Sequence, residues 1–561
     1  MTPLSRKTVV LLIAVLALAA FFRLWQLPTI PPGLYPDEAA NGNNAVEALH
    51  TGDFGVFYPE NNGREAFFIN VQALSIAVFG PDPWALRLVS ALVGILTVAA
   101  VFFLGRELFR PAVGVPERRW FGIPEHDWIG LAAAFFVATS FWHINFSRIG
   151  FRAILVPLLS ALGMALLLRS LRTGSIIAAA LAGFVLGLGL HTYIAFRFMP
   201  FIAAVPAIWA LWLWWRGRKA QPCVPCVLAL VAFAALIAVA PLILYFAGHP
   251  ADFTGRGHQV SIFSAERPLQ EFVKSNILTL GMLHIWGDCN PRHNFACRPE
   301  LDPIVGAFFL FGAYFAVRSL WKKPGIQKLP AALLIWWFLV MMLPATLTRE
   351  GLPHALRAIG MIVPTMLLAA WGFIGLLVAG GTKLDALARR TGISSRFRAR
   401  LRRLNVELAL LALIVVLWVP LVAYRTYFIR FPNAVPTQGA FAADLWNAGK
   451  FLDKLPPDIE KFVLVNLSGD PIRGIPAPAQ TVMFATNSFE EGPRAERNIH
   501  YVTRLEDIRP QNPDNMLILP LNGLEPGIAG RIRERFGHLV GKAPADFSIF
   551  IPPSLAAEWY E

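Results

Sequence analysis

Charge is scarce in this chain. Asp, Glu, Lys and Arg make up 15% of its 561 residues, where an ordinary soluble domain carries about 25%. Cysteine is scarcer still: four residues are too few to staple a small secreted scaffold. No phosphate-cradling glycine motif is visible in the C-terminal segment, and no internal repeat of the transporter kind in the chain. What fills the space is apolar: 56% hydrophobic and 12% aromatic residues, with a mean hydropathy of +0.53. Disordered, fibrous and ordinary soluble classes are excluded, leaving a polytopic membrane protein. The net charge of +14 invites a nucleic-acid reading, but the residues after Phe431 hold 12 Lys/Arg against 16 Asp/Glu. The excess therefore belongs to loops between apolar runs, where cytoplasmic positive charge accumulates, and no nucleic-acid partner is expected.

Apolar runs near the roughly 20 residues needed to cross a bilayer lie at 8–27, 84–105, 128–144, 153–170, 175–191, 198–215, 224–246, 303–320, 329–347, 356–379 and 405–427, which predicts about eleven transmembrane helices. A twelfth run, Phe67–Gly80, is short and ends in Gly80-Pro81-Asp82-Pro83. Read as interfacial, it puts 23 Lys/Arg on the inside, including Arg6, Lys7, Arg216, Arg218, Lys219 and the Lys383–Arg403 loop; read as spanning, it would send every later cluster outside. The positive-inside rule favours eleven spans. The first run lacks a small-residue cleavage site at Leu27-Pro28 and is read as a retained helix. Segments 28–83 and 247–302 then become large extracytoplasmic loops, within a membrane domain of residues 1–430. Residues 431–561 form an extracytoplasmic α/β domain, with strand-like runs at Phe462–Asn466, Thr481–Ala485, Ile499–Val502, Met516–Leu521 and Phe547–Ile551 and helical patterns at Ala440–Leu455 and Gly527–Phe536.

Ionisable groups near membrane depth are costly and usually functional. Here basic groups gather at one set of helix ends: His143 with Arg148 and Arg152, His191 with Tyr193 and Arg197, and His354 with Arg357; Arg23 and Arg87 flank the first loop. Each alone reads as a snorkelling side chain. Together they suit a phosphate. The first loop is acidic, with seven Asp/Glu and one Lys/Arg, Arg64, between 28 and 83. Its Pro31-Pro32-Gly33-Leu34-Tyr35-Pro36-Asp37-Glu38 leaves the first span stiffened by proline. Asp37 reads either as the cap of a helix running to His50 and stopped by Gly52, or as a general base just above the bilayer, with Glu38 assisting. Glu65, beside Arg64, reads as the cap of the interfacial helix or as a second acid at the site. A base and a phosphate cradle suggest attack by a hydroxyl or amine on a sugar carbon bonded to a lipid phosphate, whose departure the arginines would ease.

At these residues the sequence resembles the GT-C superfamily of membrane glycosyltransferases, in particular the protein O-mannosyltransferases of family 39 and the lipid A aminoarabinose transferases. The resemblance rests on Tyr35-Pro36-Asp37-Glu38 after the first span, on Phe67-Phe68-Ile69-Asn70 through Phe79-Gly80, on Trp84–Ser90 leading to Leu104-Gly105-Arg106-Glu107-Leu108-Phe109, and on a polar loop after the third span. It implies an inverting transferase that takes a sugar from a polyprenyl-phosphate carrier, with Asp37 in catalysis and a lipid, glycan or protein acceptor. It also implies a plasma (inner) membrane location, bacterial, with the site on the extracytoplasmic face and membrane lipids as surroundings. A glycan ligase or polymerase, and a non-catalytic lipid or solute transporter, are the alternatives. Ser147-Arg148-Ile149-Gly150-Phe151-Arg152 has no acid where many relatives place one, so no obligate divalent metal is expected, although a metal is compatible with the chain. Cys289 and Cys297 are expected to pair in an oxidising compartment, Cys223 and Cys226 to remain structural thiols, and His284, Asp288 and His293 to be loop polar residues rather than a metal site. Asn466-Leu467-Ser468 fits a glycosylation pattern that arises often by chance.

Overall fold

The computed structural model describes the backbone of residues 4–111, 115–217, 222–253, 255, 261–349, 351–390 and 395–560, with side chains left undescribed over 379–409 and 558–560. Arg218, Lys219 and the side chains of the basic stretch 383–403 therefore lie outside the described residues. The chain divides into two compact units, one of residues 1–25, 90–250 and 257–430 and one of residues 26–89, 251–256 and 431–561. The first loop, which the sequence groups with the spans, is thus counted with the C-terminal segment.

The first unit is helical. Among the described residues nine helices of the chain are long and apolar enough to cross a membrane, from α1 (Arg6–Leu24) to 410–430. Two expected spans are shorter: 128–144 folds as Glu125–Thr139 followed, after a break at Ser140, by Phe141–Phe146, and 175–191 as Ile176–Gly189. With apolar lipid outside, helices gain by close van der Waals packing, which small residues permit. Gly183 and Gly187 accordingly lie against the backbone of the helix Val224–Gly248, and Gly312 and Gly372 face each other's helices across Phe308 and Leu368. The chain is a polytopic helical membrane protein that carries a small α/β domain.

In the second unit α2 (Pro36–Thr51) packs on α3 (Phe67–Phe79), with the start of α4 (Pro83–Leu108) beside them. Leu34, Ala39, Ala45, Ile69, Ala73, Ile76, Leu86 and Phe484 share one core. The C-terminal segment forms a five-stranded sheet in the order 540–542, 549–551, 516–520, 460–464, 499–502, the last three strands parallel. Side chains alternate across it as the pleat requires. Val463, Val465, Leu517 and Leu519 meet the helices Ala443–Asp453 and Ala479–Ala485. Phe462, Leu464, Met516 and Ile518 meet Ile528, Ile532 and Phe536. The run Thr481–Ala485, expected as a strand, is this second helix. All seven residues of that helix are buried, so no exposed polar face marks its period.

Candidate functional site

Asp37 stands in the second unit, half-buried in the first turn of α2. It does not cap the helix: Tyr35 occupies that position and Pro36 opens the first turn, where proline's fixed φ is already helical. The expected stop at Gly52 is present, in the left-handed conformation at φ 76°. Asp37 Oδ1 accepts a hydrogen bond from Asn61 Nδ2 at 2.8 Å. Its neighbour Glu38 is fully buried and paired with Arg87 of α4, Nε to Oε1 and Nη2 to Oε2 both at 3.1 Å. Arg87 also donates to the carbonyls of Pro31 at 2.7 Å and Gly33 at 2.9 Å. One guanidinium thus ties the proline-rich exit of the first span to the start of α2. Gly33, at φ 63°, lies so close to the backbone of Phe441 and Ala443 that a Cβ has no room there.

Arg64 and Glu65 are both buried. Arg64 donates to Asn41 Oδ1 at 2.8 Å and Asn44 Oδ1 at 2.6 Å, anchoring the loop onto α2. Glu65 does not cap the interfacial helix; that position is Ala66, without a side-chain cap.

In the first unit two loops meet in a cluster that joins Asp288 and His293, read from the sequence as loop polar residues, to His354. Asp288 Oδ2 accepts from His293 Nδ1–H at 2.8 Å and from the backbone N–H of Ala355 at 2.8 Å. The His293 and His354 rings lie 4.8 Å apart, and the His354 Nδ1 accepts from the Arg357 N–H at 3.3 Å. The helix Phe141–Phe146 clasps both loops: Trp142 donates to Ala355 O at 3.0 Å, and Asn145 donates to the carbonyls of Arg292 at 2.7 Å and His293 at 3.0 Å. A disulfide joins Cys289 to Cys297 within this loop. Burial pushes both imidazoles down, His354 well below its ordinary value, with help from the nearby Arg292 and Arg357 charges; Asp288 pulls His293 the other way. Glu300, which accepts the Asp288 N–H, is pushed well up by burial and by Asp288. Burial lowers Arg292 to about 10.

Ligand atoms of Asp288, His293 and His354 lie within 4.8 Å of one another, and carboxylate plus imidazole is a donor set that suits zinc. His284, expected with them, instead bonds Gly306 O at 3.2 Å. The flanking arginines weigh against a cation and in favour of an anion.

The other basic residues are distributed. His143 accepts at Nδ1 from Arg23 at 2.8 Å, which makes it a neutral, buried imidazole. Arg148 lies against the rings of Tyr427 and Phe428. Arg152 and Tyr193 come together, guanidinium over ring at 5.6 Å. Arg197 covers Phe246 at 5.9 Å, and His191 donates to Ala238 O at 2.9 Å. Arg357 reaches Thr348 Oγ1 at 2.8 Å. Cys223 and Cys226, expected as free thiols, are bonded to each other: Cys223 caps the helix Val224–Gly248, and that first turn brings the two α-carbons to 5.3 Å.

No family model matches the chain, and no curated protein matches it. Solved structures do. ArnT from Cupriavidus metallidurans bound to undecaprenyl phosphate superposes with a TM-score of 0.54 at 16% identity, over 97% of this chain and 98% of that one. ArnT in its apo state superposes with a TM-score of 0.53 at 16% identity, over 97% of both chains. The Archaeoglobus fulgidus oligosaccharyltransferase gives 0.49 at 12% identity, over 85% of this chain and 64% of that one. At such identities the likeness concerns the fold alone, which this chain shares with the two ArnT structures.

Proposed function

We propose that this chain is an inverting glycosyltransferase that moves a sugar from a polyprenyl-phosphate carrier to an acceptor at the extracytoplasmic face of the membrane. One observation carries the reading. Asp37 is half-exposed at the first turn of α2, accepts from Asn61 through Oδ1, and is seated by the buried Glu38–Arg87 pair one residue away. A carboxylate held this way is poised to take a proton rather than to cap a helix. The acceptor's O–H or N–H gives its proton to Asp37 as its heteroatom bonds the anomeric carbon. The bond from that carbon to the phosphate oxygen breaks, its electron pair leaves on the polyprenyl phosphate, and the anomeric configuration inverts.

In this reading Glu38 serves by placing Asp37. Arg292, His293, His354 and Arg357 are the groups we assign to the carrier phosphate, with Arg148, Arg152, Arg197, Tyr193 and His191 shaping the surroundings. Guanidinium groups fixed before the reaction stabilise the charge that grows on the leaving phosphate. The fold likeness to an ArnT that was bound to undecaprenyl phosphate supports a lipid-linked donor. The test compares lipid extracts and glycoconjugates, by mass spectrometry, from a deletion strain carrying either the wild-type chain or Asp37→Asn. A sugar modification present with the former and absent with the latter supports the reading; identical profiles sink it.

A further inference from the structure

The second unit contains a contact whose cost needs a reason. Pro471–Ile472 and Ile475–Pro476 form a short hairpin with Ile472 opposite Ile475. Its two-residue turn has Arg473 at φ 50° and Gly474 at φ 79°. Such turns favour Asn, Asp or Gly at both positions, because in the left-handed conformation the Cβ of other residues crowds a backbone carbonyl oxygen. Here an arginine occupies the first, and each of its three guanidinium nitrogens is hydrogen-bonded. It donates to both oxygens of Glu47, at 2.7 and 2.8 Å, and from Nε to Glu60 Oε1 at 2.8 Å. Its guanidinium also lies 4.5 Å from the centroid of the Phe489 ring.

Glu60 opens a second left-handed turn. Asn61, Asn62 and Gly63 follow in succession at φ 51°, 64° and 75°, residue types that tolerate this conformation, and side-chain contacts hold the turn in place. Asn62 Nδ2 donates to Asp470 Oδ2 at 2.6 Å, at the base of the hairpin. Glu60 Oε2 accepts from Asn44 at 3.1 Å, and the next residue, Asn61, lies on Asp37. We propose that Arg473 is a positioning residue for Asp37: by holding Glu60 and Glu47 it keeps the left-handed turn that lays the Asn61 amide against the carboxylate. This inference rests on the reading of Asp37 as the base. It gives the C-terminal segment a task in the reaction, which is to brace the loop that orients the proton acceptor.

The experiment uses the full-length chain in the deletion strain, with Arg473→Ala, Asn61→Ala and the double variant beside wild type and Asp37→Asn. Each single variant should lower the rate at which sugar product accumulates by about tenfold, since small misplacements of a reacting group are costly. The double variant should fall no further than Asn61→Ala alone, because both changes act through one contact. Hydrogen exchange of the purified Arg473→Ala protein should quicken over residues 56–66 while the strands Glu460–Leu464 and Met516–Pro520 stay protected. Product at the wild-type rate in Arg473→Ala beside an inactive Asp37→Asn overturns the role of Arg473 alone. So does a double variant that loses activity by the product of the two single losses, or unchanged exchange over 56–66. Wild-type product in Asp37→Asn overturns the base reading instead.

Discussion

Glu38 and Arg87 form a two-pronged ion pair in which neither side chain is more than 1% exposed. The pair joins residues 49 positions apart and sits immediately beside Asp37. Removing one partner strands the other charge without water, which typically costs about 3–5 kcal/mol. Glu38→Gln or Arg87→Met should therefore lower the apparent unfolding temperature of the detergent-solubilised protein sharply. Replacing both by methionine should recover most of that loss. Equal unfolding temperatures for wild type and Glu38→Gln would show that the pair holds nothing in place.

Asp37→Asn keeps the volume and the first-turn position but cannot take a proton. General-base assistance is worth roughly 10²–10⁴ in rate, and Asp37 makes no cap bond to lose. The variant should fold with an unchanged unfolding temperature, bind polyprenyl phosphate in a fluorescence or filter assay, and fail to transfer sugar. Turnover equal to wild type would leave the base unassigned.

Arg292→Ala and Arg357→Ala address the carrier phosphate. Loss of an arginine paired with phosphate in a partly desolvated place costs about 2–5 kcal/mol. Because the charge it meets grows as the phosphate departs, the loss should be seen in turnover as well as in affinity for polyprenyl phosphate. Unchanged turnover in both variants removes them from the site.

The same cluster makes a prediction about metals. If Asp288, His293 and His354 serve as neighbours of a phosphate, dialysis against EDTA should leave turnover within about twofold of the untreated enzyme. A large loss that zinc or manganese restores would reassign the three residues to a cation.

Orientation is tested by labelling in a background whose four native cysteines are replaced by serine. A cysteine at Ser395 should be shielded from an impermeant maleimide in intact cells, and one at the exposed Ser554 should react. The reverse pattern would invert the positive-inside assignment.

The spans were legible because hydropathy is a local, additive property: Pro83–Leu108, Pro303–Lys322 and Val224–Gly248 fall where the apolar runs predict. The extent of α2 was legible for a similar reason, since proline and glycine punctuate both ends, but its cap was not: Tyr35 holds that position and Asp37 stands in the first turn. Nor was the meeting of Asp288 and His293 with His354. His293 and His354 stand 61 residues apart, joined through the Asp288 carboxylate and a backbone N–H, and no periodicity encodes that meeting. Arg473 was missed likewise, because its partners Glu47 and Glu60 lie 426 and 413 positions away. His143 read as basic until its hydrogen bond from Arg23 showed which nitrogen is the acceptor.

The Cys289–Cys297 bridge has a meaning for biogenesis. It closes a short ring that contains His293 and begins one residue after Asp288, so the chemistry that shapes the loop is an oxidation performed by the cell, after translation. Disulfides of this kind form where the compartment is oxidising. Where the loop faces such a compartment, closing this ring draws on thiol oxidants supplied from outside the chain.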